Sequence, residues 1–212
     1  MGRDPVSSRT PFNLNKDIYP TVATYSLVVR RLMIVSLTIV VSRAIISPLL
    51  TLFLSDKLGL NQQDVGLLLG IAVFIATLLA LYGGYVIDRL EKRRLLILTM
   101  LSSAIGFVLL AFAENLYLAT LTLVISETAS ALFLIGSKAI LSENLPVGQR
   151  AKAFSLRYTL TNIGYATGPM FGVVMAGVYP IAPFLIAGGI AFASIFLMLG
   201  IPRDSAQAPT IG

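Results

Sequence analysis

Six stretches of about twenty or more apolar residues, each closed by a short polar break, constrain this chain more than any other feature. An α-helix rises about 1.5 Å per residue, so roughly 20 apolar residues cross the hydrocarbon core of a bilayer. Lipid offers no hydrogen-bond partner to a bare backbone, so such a segment crosses as a helix and not as an open strand. The spacing predicts an all-α, polytopic integral membrane protein with six transmembrane helices, over residues 31–54, 65–87, 95–113, 116–141, 153–178 and 181–201. Residues 1–30 form an N-terminal arm, 31–201 the membrane domain and 202–212 a tail. Composition agrees: of 212 residues 56% are hydrophobic and only 12% charged, where a soluble domain carries about 25% charged residues.

The breaks have local logic. Asn61 followed by Asp64 reads as an N-cap and an acidic third position, which starts span 2. "AENL" is a tight turn between spans 3 and 4, and "VYPIAP" joins spans 5 and 6 with Pro180 expected near the first helical turn. Lysine and arginine fall unevenly among these breaks. Arg3, Arg9, Lys16, Arg30 and Arg31 precede span 1; Arg89, Lys92, Arg93 and Arg94 separate spans 2 and 3; Arg150 and Lys152, with Arg157 just inside, separate spans 4 and 5; and Arg203 lies in the tail. The other three breaks hold only Lys57. Cations collect on the cytoplasmic side, which puts both termini and residues 88–94 in the cytoplasm of a multi-pass protein of the inner or plasma membrane. The net charge of +6 is thereby accounted for without a nucleic-acid partner. The chain has no cysteine and no histidine, which excludes disulfides, thiolate metal sites, imidazole relays and the Ser-His-Asp triad. With no nucleophile–base pair in view either, the expectation is a protein that is not an enzyme and carries no metal or cofactor.

The charged break deserves its residues in full: "GYVIDRLEKRR". It resembles the signature loop between helices 2 and 3 of the major facilitator superfamily, which runs Gly, any, Leu, Ala, Asp, Arg, any, Gly and two basic residues. Gly84 stands first, Asp88 at the acidic position, Arg89 after it, and Lys92 and Arg93 at the basic pair; Glu91 replaces the second glycine. A glycine admits a close helix neighbour, and an aspartate at a helix end can latch onto backbone N–H groups or a cation and release in another conformation. A second match is "NIGYATGPMFGVV". Gly164, Gly168 and Gly172 make a bare ridge for close helix approach, and Pro169 removes a backbone hydrogen bond. This is similar to the Gly-x-x-x-Gly-Pro pattern of the drug:proton antiporter branches, with Val173 in place of the last glycine. Together with "SPLLTLFLSDKLGL", "KAILSENLP" and "TNIGYATGP", the run of features resembles bacterial multidrug or dipeptide efflux members. The resemblance covers about residues 30–200 and one six-helix half of a family member, which implies 3+3 inverted repeats. "LSDKL" at 54–58 and "LSENL" at 141–145 close the equivalent spans 1 and 4.

Two ionisable residues lie deep in apolar runs. Arg43 is about twelve residues from the cytoplasmic start of span 1 and Glu127 about eleven from the outer start of span 4, which places both roughly 16–18 Å from a surface, near the midplane. A charge there costs on the order of 2.5–3.5 kcal/mol, so such residues face the bundle interior and pair. Helices 1 and 4 line the central cavity in the family fold, and the expectation is that Arg43 and Glu127 meet there. A static packing pair is the alternative to a proton-exchanging one. Many family members carry an arginine in span 4 near this acid; it is absent here, so the family's proton-coupling assignment does not carry over. Asn162 and Tyr165 on span 5 are further substrate-contact candidates, Pro48 is expected to bend span 1, and Lys138 is expected to snorkel to the interface.

The expected function is proton-coupled efflux of small amphipathic molecules by alternating access, with the bilayer, protons and a small-molecule substrate as partners. Two alternatives stay open. The chain is a half-length or truncated unit, inactive alone or completed by a second six-helix half or a homodimer; or it is an uptake carrier of the same fold.

Overall fold

The computed structural model describes residues 22–89 and 91–201, with side chains for all of these except 84–89. A single 3-10 turn, Val22–Thr24, leads into six α-helices: α1 Leu27–Leu58, α2 Gln62–Arg89, α3 Lys92–Ala111, α4 Leu116–Glu143, α5 Val147–Val178 and α6 Ala182–Leu199. No strand occurs among the described residues. Among the described residues, five helices are long and apolar enough to cross a membrane: α1, α2 as far as Gly83, α3, α4 and α6. The helix over the fifth expected span is present and 32 residues long, but Arg157, Tyr158, Thr159, Thr161 and Asn162 break its apolar run.

The helix ends follow from their caps. The Ser26 hydroxyl accepts from the Val29 N–H, which starts α1 ahead of its apolar run. Gly59, at φ 66°, takes the left-handed conformation that ends α1. Asn61 accepts from the Asp64 N–H at 2.9 Å while its own amide donates to the Asp64 carboxylate at 2.7 Å, which opens α2. Asn115 accepts from the Leu118 N–H at 2.8 Å and opens α4. One expectation is corrected: α6 begins at Ala182, so Pro183 and not Pro180 occupies its first turn. A second difference concerns the charged break. Asp88 and Arg89 complete α2 and Lys92, Arg93 and Arg94 open α3, leaving only residues 90–91 between the helices. Arginine and lysine are good helix formers, and the cluster reads as two helix ends rather than a loop.

Contacts between helices do not follow chain order. α5 packs on α1, α1 on α6, α6 on α3, α3 on α4 and α4 on α2. Two apolar clusters fill the interior. One, with Leu32, Met33, Met100, Phe133, Ile140 and Met198, lies toward the end where α2 meets α3. The other, with Leu54, Val65, Phe107, Leu110 and Phe184, lies toward the opposite end. Small residues allow the tightest approaches. Gly164, Gly168 and Gly172 are buried against α1. A Cβ at Gly164 would meet Val41, Leu37 and Val40 at 3.1–3.2 Å, one at Gly168 would strike Ala44, and one at Gly172 would strike the Ile45 carbonyl oxygen. Gly83 on α2 likewise faces Leu132 on α4 with no room for a Cβ. Pro48 and Pro169 sit inside continuous helices.

Candidate functional site

The mid-helix charges of α1 and α4 are brought together. Arg43 Nη2 donates to both carboxylate oxygens of Glu127, at 2.9 and 2.8 Å. The two side chains keep 34% and 26% of their surface. They therefore face open space rather than packed core, and a charge-assisted pair of this length is among the stronger hydrogen bonds. A cavity of about 220 Å³ lies on the side toward the α2–α3 junction, between α1, α4 and α5. A smaller one, about 120 Å³, lies on the opposite side and reaches Leu50, Phe107 and Leu123. Arg43 and Tyr165 line both cavities. The ion pair thus stands between two chambers, one toward each end of the bundle.

The other sequence candidates fall around this pair. Tyr165 is 54% exposed, and Asn162, also exposed, lines the larger cavity. The glycine ridge of Gly164, Gly168 and Gly172 holds α5 against the stretch of α1 that carries Arg43, and Pro169 lies among those glycines. Lys138 lines the larger cavity.

One residue escaped the sequence reading. Arg157 of α5 is buried, with 6% of its surface exposed. Its Nε donates to the Ser36 hydroxyl at 3.1 Å and its Nη2 to the Ser137 hydroxyl at 2.7 Å. Those hydroxyls in turn donate to the carbonyls of Leu32 and Leu134. The orientation count had grouped Arg157 with Arg150 and Lys152 as a cytoplasmic charge. Its register held the missing signal: seven residues before Gly164, it shares the helix face that presses on α1.

The basic pair of the charged break also finds partners. Lys92 forms an ion pair with Glu143 at the end of α4. Arg93 donates to the Leu199 carbonyl at 2.7 Å, at the end of α6. Arg94 Nε lies 2.6 Å from the Glu91 carboxylate. Three cations at a helix N-terminus oppose the helix dipole, and each is balanced by an oxygen from a neighbouring helix end or from Glu91. The side chains of Gly84, Asp88 and Arg89 lie outside the described residues.

A family model of the Major Facilitator Superfamily matches residues 32–211. The chain belongs to this superfamily. Among its curated relatives, the MFS-type transporter YdeE of Escherichia coli is 28% identical over 170 residues, 80% of this chain and 43% of that protein. The quinolone resistance protein NorA of Staphylococcus aureus is 25% identical over 168 residues, 79% of this chain and 43% of that protein. The MFS-type transporter YqjV of Bacillus subtilis is 27% identical over 139 residues, 66% of this chain and 34% of that protein. The chain spans less than half the length of these relatives.

Membership of the superfamily makes this a multi-pass membrane protein, in keeping with its apolar helices. It also sharpens one departure in the signature loop, beside the apolar substitutes Val86 and Ile87. Glu91 stands where the superfamily pattern has glycine, and its carboxylate holds Arg94. The Lys92–Glu143 pair that ties α3 to α4 invites a charge-swap test. Both side chains are about three-quarters covered, so Lys92→Glu or Glu143→Lys alone, which sets like charges together, is expected to cost about 1 kcal/mol. In detergent this reads as a fall of a few degrees in unfolding temperature, and the double reversal restores most of it.

Proposed function

We propose that this chain is one six-helix half of a secondary transporter that exports small amphipathic molecules in exchange for protons, by alternating access. The observation that carries the reading is the Arg43–Glu127 pair standing between two cavities on opposite sides. A carboxylate held by a single cation at a chamber boundary can take a proton when that cation turns to another partner, and so link proton and substrate movement. α5 serves as the fifth of six spans. Its polar residues line the larger cavity, where they avoid acyl chains.

The 3+3 repeat is supported by the packing order. Exchanging α1–α3 with α4–α6 maps the α1–α5 contact onto α4–α2 and the α1–α6 contact onto α4–α3. Loop cations put both termini and the α2–α3 junction in the cytoplasm of the inner or plasma membrane. There, Asp88 with Arg89, Lys92 and Arg93 latches the closed cytoplasmic side. A second six-helix body, from a separate half or a second copy, completes the unit. In its favour, Tyr158, Asn162 and Tyr165 of α5 stay exposed on the open side of the cavity they line, a polar surface that a second half would cover. Export of drug-like molecules is favoured over uptake by the Gly-Pro ridge and by the resistance role in the name of NorA.

The test is flux in proteoliposomes holding the chain. An imposed proton gradient is expected to drive accumulation of a fluorescent quinolone above protein-free vesicles, and Glu127→Gln is expected to lower that accumulation about tenfold or more. Accumulation that ignores the gradient, or that survives Glu127→Gln, sinks proton coupling through Glu127. Accumulation no greater than in empty vesicles sinks transport by this chain.

A further inference from the structure

We propose that the larger cavity is built to hold an acidic group, a carboxylate or similar monoanion, on Arg157 and Lys138, and that the molecules carried are therefore amphipathic acids. The argument begins with charge. Of the cations lining this cavity, Arg43 is neutralised by Glu127, while Arg157 and Lys138 have no ion pair among the described residues. The remaining described carboxylates, Asp56, Asp64, Glu91, Glu114 and Glu143, sit at helix ends and do not line the cavity. A guanidinium keeps its charge in proteins. One buried to 6% exposure with only two neutral hydroxyls as partners is costly unless something negative joins it.

The geometry then shows how an anion would be met. Ser36 and Ser137 engage Nε and Nη2 and so fix the guanidinium plane from α1 and α4. Nη1 has no hydrogen bond among the described residues, and the side chain borders the cavity. A pre-positioned guanidinium edge is the recognition element that suits a carboxylate. Lys138, exposed and without a hydrogen bond or ion pair among the described residues, adds a mobile second charge from α4. The same cavity is lined by Ile39, Phe133 and Leu134, an apolar surface for the body of the molecule. The cavity, about 220 Å³, is smaller than the roughly 300–1,000 Å³ of drug-sized sites, so it suits an acid carrying one or two rings. A Ser-Arg-Ser lock that merely ties α1, α4 and α5 together would need neither the open cavity nor Lys138.

This inference deepens the transport reading and rests on it for its biological sense, but its test is equilibrium binding. The probes are 1-naphthylacetate, its neutral amide 1-naphthaleneacetamide and the cation 2-(1-naphthyl)ethylamine. Each is titrated against the whole chain in phosphatidylcholine nanodiscs, with empty nanodiscs subtracted. The acid is expected to bind about tenfold more tightly than the amide, and the amine not measurably. Lys138→Gln, at an exposed position, is expected to cut the preference about threefold; Arg157→Gln abolishes it and Arg157→Lys keeps part. Should Arg157→Gln fail to fold, Lys138→Gln and the probe series still decide. Equal binding of acid and amide, preference for the amine, or an acid preference indifferent to Lys138→Gln overturns the proposal. Proton-driven flux without any acid preference would overturn it while leaving the transport reading intact. Acid-selective binding without flux would do the reverse.

Discussion

Gly172→Ala lowers the stability of the bundle by about 1–3 kcal/mol, and a larger side chain at this position prevents α5 from docking. The reason is the identity of the neighbour. A Cβ at Gly172 meets the carbonyl oxygen of Ile45, a backbone atom that cannot rotate away. The two helices must then separate, and α1–α5 is the most extensive helix contact in the molecule. Glycine carries its own helix penalty of about 1 kcal/mol relative to alanine, so an alanine that lowers stability does so against its intrinsic preference. The series supplies its own controls. At Gly164 the obstacles are the side-chain tips of Val41, Leu37 and Val40, which can shift by tenths of an ångström; the loss there is smaller. At Gly177, also in α5, nothing lies within 4 Å, and alanine is expected to be neutral or mildly stabilising. Unfolding temperature in detergent, read for all three variants, checks the order. Equal effects at 172 and 177 would mean that the glycine ridge does not set the helix spacing.

The same contact reaches the site. Arg43, Ala44 and Ile45 are consecutive, and Gly168 and Gly172 press on the second and third of them. Displacing α1 there moves the backbone that aims Arg43 at Glu127. The ridge and the ion pair are thus one piece of construction, although the ridge and Arg43 stand more than a hundred residues apart in the chain.

What the residues disclosed in advance depended on whether a signal was local and one-dimensional. All-helical character followed from the length of the apolar runs, and the cap at Asn61 is a matter of three or four residues. Arg43 and Glu127 were conspicuous because each stands alone in an apolar stretch and depth can be counted along a helix. Arg157 was obscured for the opposite reason. It lies among polar residues, where one more charge attracts no notice, and only the helix face it shares with Gly164 distinguishes it from Arg150 and Lys152. The partners of Lys92 and Arg93 were equally hidden, since Glu143 and Leu199 are brought near by bundle packing and by nothing in the local sequence. The fifth span was legible from its length despite the polar residues that lower its hydropathy, and most of those residues line the cavity.

Arg43→Gln and Glu127→Gln are each expected to destabilise the protein by about 1–3 kcal/mol, and the double variant to recover most of that loss. Either single change leaves one charge inside the helix bundle with no counter-charge, whereas the double change leaves two amides able to bond each other. The figure stays below the roughly 3–5 kcal/mol for breaking a fully buried pair, because a third of one side chain and a quarter of the other face the cavities and water there offsets part of the loss. A double-mutant cycle on unfolding in mixed detergent measures the coupling. If the losses of the two singles simply add in the double, the pair is a crossing of two independent residues and the static packing role fails together with the exchanging one. Stability and proton flux then part company in an informative way. A double variant that folds as well as the parent yet moves no protons with substrate assigns the pair to coupling. One that folds and still couples shows that Arg43 and Glu127 only hold α1 against α4, and the proton must be sought on another residue.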